Sequence, residues 1–337
     1  MFAVQRYLEG HHFKPRSAIY AALAEGFLRW DYLFPKKTEI IIDGLDHLPF
    51  NGGVIFAMNH INAFDYLPFM YGLYRIHRDD PRRGRLGLTA WIKAKYFDSL
   101  PLAQLLDWLN MIPLPSRGYL LARDYQDTFG RQVDNESYRL LRMLIDGDCD
   151  LDSFLEKASP DLEQLVTTPH GDFDPQGQSY AEFVEYHYND LLAMVSELSE
   201  QALAQHFYLF VYPEGLIGPH LQTGRLGLAQ FALKTGATII PVGANGLEKI
   251  YPRIRPFSRG GQVRYRLGRP LSVQNELAPF AITEPFIPFT RSAQDRFGPR
   301  FQAATDLIMT RINDLLDPPY RHRPGSEAGK TDVDRLI

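Results

Sequence analysis

Cysteine is almost absent from this 337-residue chain, where Cys149 stands alone. A single cysteine excludes an internal disulfide and any cysteine-based metal cluster, and it fits a reducing compartment. Long uncharged apolar runs are missing too. No stretch approaches the roughly 20 residues that a membrane-spanning helix needs. Residues Met1 to Gly10 lack the apolar core of a secretory signal. If the protein works on lipid, it lies on the membrane and does not cross it. The expected location is cytoplasmic, peripheral on the cytoplasmic face of a membrane. Charge of one sign does not dominate either: 36 Lys and Arg face 40 Asp and Glu, a net charge of −4. There is therefore no general pull towards nucleic acid, and anion binding must be local. No internal repeat, glycine-rich phosphate loop or Gly-x-Ser-x-Gly nucleophile turn occurs.

What remains is globular in character. Apolar residues make up 45% of the chain and charged residues 23%, and the length suffices for a large core. Residues 16 to 34 read as an amphipathic helix. Ile19, Leu23, Phe27 and Trp30 recur at helical spacing, Pro35 stops the run, and Lys36 and Lys37 follow. Such a stripe fits a core helix first, with a helix lying in a membrane interface as the other reading. Thr38 to Asp43 is a β-branched strand. Arg75, Arg78, Arg82, Arg83 and Arg85 crowd a loop that is either solvated or docks something acidic. Further strands are expected at 86–92, 111–117, 207–212, 238–242 and 262–267. Helices are expected at 66–76, 101–109, 180–206, 227–234 and 291–316.

Residues 124 to 178 differ from their surroundings and read as a partly helical insertion. Asp146, Asp148, Asp150 and Asp152 alternate there, but glycine and glutamate are not at the offsets of a calcium loop. No metal site is expected. The polar, proline-containing stretch 318 to 337 reads as a disordered tail. The alternation of strands and helices predicts an α/β fold. Three segments follow: an N-terminal helical segment 1–37, a main domain 38–317 with the insertion, and the tail.

The stretch from Val54 to Asp65 organises the rest. Val54 to Met58 is uncharged, as in a strand buried on both faces. Gly52 and Gly53 precede it, and Asn59 and His60 end it. The strand delivers His60 to its C-terminal edge, where open α/β sheets place their ligands. With a helix starting near Asn62, Asp65 can meet one imidazole nitrogen while the other faces a substrate. That is the base and orienter of a catalytic triad, without a nucleophile. With ten histidines, about one His-x-x-x-x-Asp arises by chance in a chain this long. The spacing gains meaning from its place after a buried strand and from the motifs that follow.

Those motifs resemble the glycerolipid acyltransferase family, which includes the lysophosphatidic acid and glycerol-3-phosphate acyltransferases. The resemblance rests on Asn59-His60 with Asp65, on Arg117 after Ile112-Pro113, on Tyr212-Pro213-Glu214-Gly215, and on Ile240-Pro241-Val242. It covers about residues 38 to 272, with the motifs in the family's order. It departs where the family carries Thr-Arg-Ser after Glu-Gly: here Leu216, Ile217 and Gly218 follow. Gln222 stands where the family often has lysine.

The resemblance implies a single mixed, mostly parallel sheet flanked by helices. It implies transfer of a fatty acyl group from acyl-CoA or acyl-carrier protein to the hydroxyl of lysophosphatidic acid or a related glycerolipid. His60 is then the general base and Asp65 its orienter. Asn59, Arg117, Glu214, Gly215 and Arg225 belong to the substrate site, with Arg117 and Arg225 replacing the missing cations. For Glu214 a structural role, accepting turn N–H groups, is equally open. No cofactor is implied beyond the acyl thioester co-substrate. The expected partners are the lipid acceptor, the acyl carrier and a membrane surface. A neutral sugar or lipid alcohol as acceptor, or a non-catalytic lipid-binding protein, are the alternatives.

Overall fold

The computed structural model describes residues 3–14, 17–34, 37–251 and 257–323. Pro35, Lys36 and residues 324–337, which enter the expectations above, lie outside them.

The described residues form one seven-stranded sheet in the order β1-β7-β6-β2-β5-β3-β4. The strands are β1 Thr38–Asp43, β2 Ile55–Met58, β3 Leu88–Lys93, β4 Ile112–Leu114, β5 Tyr208–Val211, β6 Ile239–Asn245 and β7 Gly261–Leu267. From β6 to β4 all neighbours are parallel. β7 runs antiparallel to β6 and parallel to β1. The sheet is thus α/β, mixed and mostly parallel.

β2 lies between β5 and β6, and all four of its residues are buried. Its alternate side chains serve two cores. Phe56 and Met58 pack with Phe69 and Leu73 on one face. Ile55 and Ala57 pack with Leu209, Phe231 and Ile308 on the other. This double burial accounts for the uncharged sequence of the strand.

The N-terminal chain opens with a helix that periodicity did not reveal, α1 Ala3–Gly10. The expected helix after it is a continuous run: α2 Ser17–Ala22, a π-helical stretch Leu23–Leu28 and α3 Arg29–Leu33. Its buried face is Tyr20, Ala24, Leu28 and Tyr32. The wider π turn keeps residues four apart in line. Phe27 and Trp30, expected to lead the packing stripe, point outward, and Trp30 is 57% exposed.

α4 Tyr66–Asp79 follows β2, and α5 Leu100–Trp108 joins β3 to β4. Beyond β4 come α6 Arg117–Phe129, α7 Asn135–Asp146, α8 Leu151–Leu155, α9 Pro160–Thr167 and α10 Tyr180–Ala204. They build a helical layer with its own core, in which Leu120, Leu141, Phe154, Phe183 and Val195 meet Val4 and Leu8 of α1. Residues 124–178 are therefore more helical than expected, and α1 packs into the same layer against α10. Of its aspartates, Asp150 accepts the Ser153 N–H at the start of α8 and Asp146 pairs with Arg142.

α11 Gly227–Thr235, α12 Leu247–Ile250 and α13 Arg291–Asp314 complete the fold. The expected tail is packed where it begins. Tyr320 is 7% exposed, and its hydroxyl donates to Glu248 at 2.6 Å.

Candidate active site

The five parallel strands end on one edge of the sheet. The last residue of β3, Lys93, and the segments leaving β2, β5 and β4, with His60, Glu214 and Arg117, lie at that edge. The sheet direction thus gathers three of the four sequence motifs, while Ile240-Pro241-Val242 lies within β6.

His60 lies two residues beyond β2. Its Nδ1 is 3.1 Å from Asp65 Oδ2. The same carboxyl oxygen accepts the Ile61 N–H at 2.7 Å and the Asn62 N–H at 3.0 Å. These two amides exist for it because Asn62 starts a tight turn, with Phe64 N–H donating to its side chain and Asp65 N–H to its carbonyl. α4 begins only at Tyr66, so Asp65 stands at the helix entrance rather than within the first turn. Asp65 is fully buried, and burial raises its pKa against the pull of the His60 contact. The His60 ring stacks on Tyr212, with centroids 4.0 Å apart at 22°. Its side chain keeps 18% exposure. A ring fixed through Nδ1 and by a stacking neighbour leaves Nε2 for chemistry. Among the described residues, no serine, threonine or cysteine is hydrogen-bonded to it.

Two residues expected to touch substrate are instead buried braces. Asn59, 2% exposed, bonds the Ala244 backbone with both ends of its amide, at 3.1 and 2.7 Å. It ties the end of β2 to β6 as one more backbone pair would. Glu214, also 2% exposed, accepts the His60 N–H at 2.8 Å and the Gln222 N–H at 2.8 Å. Burial pushes its carboxyl up to about 8 despite these two donors. Of the two roles open for Glu214, the geometry is that of the turn brace.

Arg117, Gly215 and Arg225 share the wall of a cavity of about 660 Å³. Its other wall residues include Lys93, Lys95, Asp98, Arg123, Tyr138 and Tyr188. Gly215 has φ +70°, and a side chain there would meet the Arg225 stem at 3.6 Å. His60 is not among the wall residues. The dyad and the cavity share the loop after β5, since Gly215 follows the residue that holds His60.

Arg117 does not end a strand, as expected, but opens α6 after its cap Ser116. Its guanidinium is already engaged. It donates to both Glu185 oxygens, at 2.7 and 3.0 Å, and lies 4.4 Å over the Tyr188 ring. Neither partner was assigned a site role from sequence. The available signal is slight, since Glu185 is one of several carboxylates on α10 and differs only in lying three residues before Tyr188.

No protein-family model and no curated protein matches the chain. One solved structure to which it is similar is the 1-acyl-sn-glycerophosphate (LPA) acyltransferase PlsC from Thermotoga maritima. That likeness has a TM-score of 0.39 and 11% identity, over 93% of this chain and 87% of the other. It is too slight to bear on the chemistry, which rests on the residues above.

Proposed function

We propose that this protein is an O-acyltransferase that moves a fatty acyl group from a thioester to the hydroxyl of a lipid-like acceptor. The observation that carries this reading is the His60–Asp65 dyad at the ligand edge of the sheet, with no side-chain nucleophile bonded to it. Direct transfer needs only a base. His60 takes the acceptor hydroxyl's proton at Nε2 as the oxygen attacks the thioester carbonyl. The tetrahedral intermediate collapses, the C–S bond breaks, and the proton is returned to the departing thiolate. Asp65 holds the Nδ1–H tautomer and stabilises the imidazolium. Its carboxylate is oriented for this by the two backbone amides.

The donor in this proposal is acyl-CoA or acyl-carrier protein. Both carriers are anionic, which suits a cavity wall that carries Lys93, Lys95 and Arg225 beside the ion-paired Arg117 and Arg123. We further propose that the protein works at a membrane surface. The apolar ridge Phe27, Trp30, Leu33 and Phe34 is exposed, and Phe257 meets Phe27 at 5.8 Å. No helix among the described residues is long and apolar enough to cross a membrane. A labelled acyl thioester, incubated with a panel of hydroxyl acceptors, tests the proposal through acceptor-dependent release of free thiol.

A further inference from the structure

We propose that Glu185 is a specificity-determining residue that keeps phosphomonoester-bearing acceptors away from Arg117, so that the acceptor's polar head is uncharged at this point of the cavity. The inference rests on the acyltransferase reading for the word acceptor, and on geometry for the rest.

Arg117 is the cavity residue best built to hold a phosphate, because a guanidinium fork matches two anionic oxygens at once. Here a residue of the protein makes that contact. Glu185 reaches from α10 and takes Nε and one terminal nitrogen of Arg117, at 2.7 and 3.0 Å. Tyr188, one turn further along the same helix, covers the guanidinium plane from 4.4 Å. The carboxylate is itself steadied by Asn189 at 3.4 Å and by the positive charge of Arg291. Glu185 and Arg117 are only 27% and 21% exposed at their side chains, so water replaces either partner poorly. A phosphate entering the fork must displace a bound carboxylate and leave it unpaired in a half-buried place, a substantial penalty.

The neighbouring arginines are matched in the same way. Arg123 faces Asp127 at 3.1 Å and Asp98 at 3.9 Å, and Arg142 faces Asp146 at 2.7 Å. Lys93, Lys95 and Arg225 line the same wall. What Glu185 removes is the planar fork. A neutral polyol or sugar hydroxyl head can use the Glu185 oxygens as acceptors without breaking the pair.

The test is calorimetric titration of the full-length protein with sn-glycerol 3-phosphate, with no thioester present. Wild-type protein is expected to bind it weakly, and Arg117→Ala to bind it no more tightly. Glu185→Gln, folded by its thermal transition, is expected to gain about tenfold or more, the range of one charge-assisted hydrogen bond. Arg117→Ala with Glu185→Gln is expected to lose that gain. Tight wild-type binding that Arg117→Ala abolishes overturns the proposal, and needs no change at Glu185. So does a gain that survives in the double variant. These titrations read the pocket whether or not the protein turns over, so their failure is distinct from a failure of the acyl-transfer reading.

Discussion

Glu214 accepts the backbone N–H of His60 at 2.8 Å, so the loop leaving β5 holds the imidazole that β2 delivers. The proposed base is thus positioned from two strands at once. Its ring is fixed by Asp65 and Tyr212, and its backbone by a carboxylate that burial pushes up to about 8.

That shift makes stability depend on pH. The folded chain keeps a proton on Glu214 that the unfolded chain releases near the ordinary value of 4.5. The folded state therefore binds more protons between these values, and its stability falls as pH rises from about 4.5 to about 8. Burial of Asp65 acts in the same direction. Thermal unfolding between pH 5 and 8.5 is expected to give a falling Tm, and a shallower fall in Glu214→Gln. Equal slopes in the two proteins contradict the assignment.

The loop after β5 has a second hold, from the end of the described chain. Leu221 N–H donates to the Tyr320 carbonyl at 2.8 Å, and His220 Nδ1 lies 2.7 Å from the Pro319 carbonyl. Deleting residues 318 to 337 is expected to expose residues 216–224 to protease. It should also lower turnover by at least about tenfold, since misplacement of about 1 Å at a reacting group can cost on the order of 10²-fold. A truncated protein with wild-type turnover and an uncut loop contradicts this role.

The membrane proposal changes in emphasis with the structure. Of the five arginines expected in one loop, Arg75 and Arg78 lie on α4 instead, and three of the five face carboxylates: Arg78 pairs with Glu25 and Asp79, and Arg82 and Arg83 with Asp80. In the proposal, attachment then rests on the aromatic ridge more than on charge. Trp30→Ser with Phe34→Ser is expected to reduce flotation with vesicles by at least about tenfold, because each large apolar side chain contributes about 1.5–3 kcal/mol when buried. Binding by wild-type protein should largely survive added salt, which screens exposed charges but not apolar contact. Unchanged flotation of the double variant contradicts it. Point variants suit this test better than removal of residues 1–37, because Val4 and Leu8 pack inside the helical layer.

Much of this arrangement was legible in the sequence. The uncharged strands β2 and β5 announced themselves because both faces of a central parallel strand are buried, and their ends carried the dyad and the Pro213-Glu214-Gly215 turn. The helix α1 was not legible, since its eight residues are short and its apolar contacts, Val4 and Leu8, are too few for a period. Asn59 and Glu214 show the limit for site residues. A polar side chain at a strand end reads the same whether it meets substrate or backbone, and only the hydrogen-bond partners decide. Glu185 was out of reach for another reason: it lies 68 residues from Arg117, and no local spacing links them.

The central claim is that His60 is the base of a direct acyl transfer. The measurement that tests it most directly is acceptor-dependent thiol release from a labelled acyl thioester, in wild-type protein, His60→Ala and Asp65→Asn. Wild-type protein should release thiol only when an acceptor is supplied. His60→Ala should be slower by about 10²–10⁴-fold with its thermal transition intact, the range a general base supplies. Asp65→Asn should also lose activity heavily, because an amide beside Nδ1 favours the wrong tautomer. Turnover in His60→Ala close to that of the wild type would contradict the account.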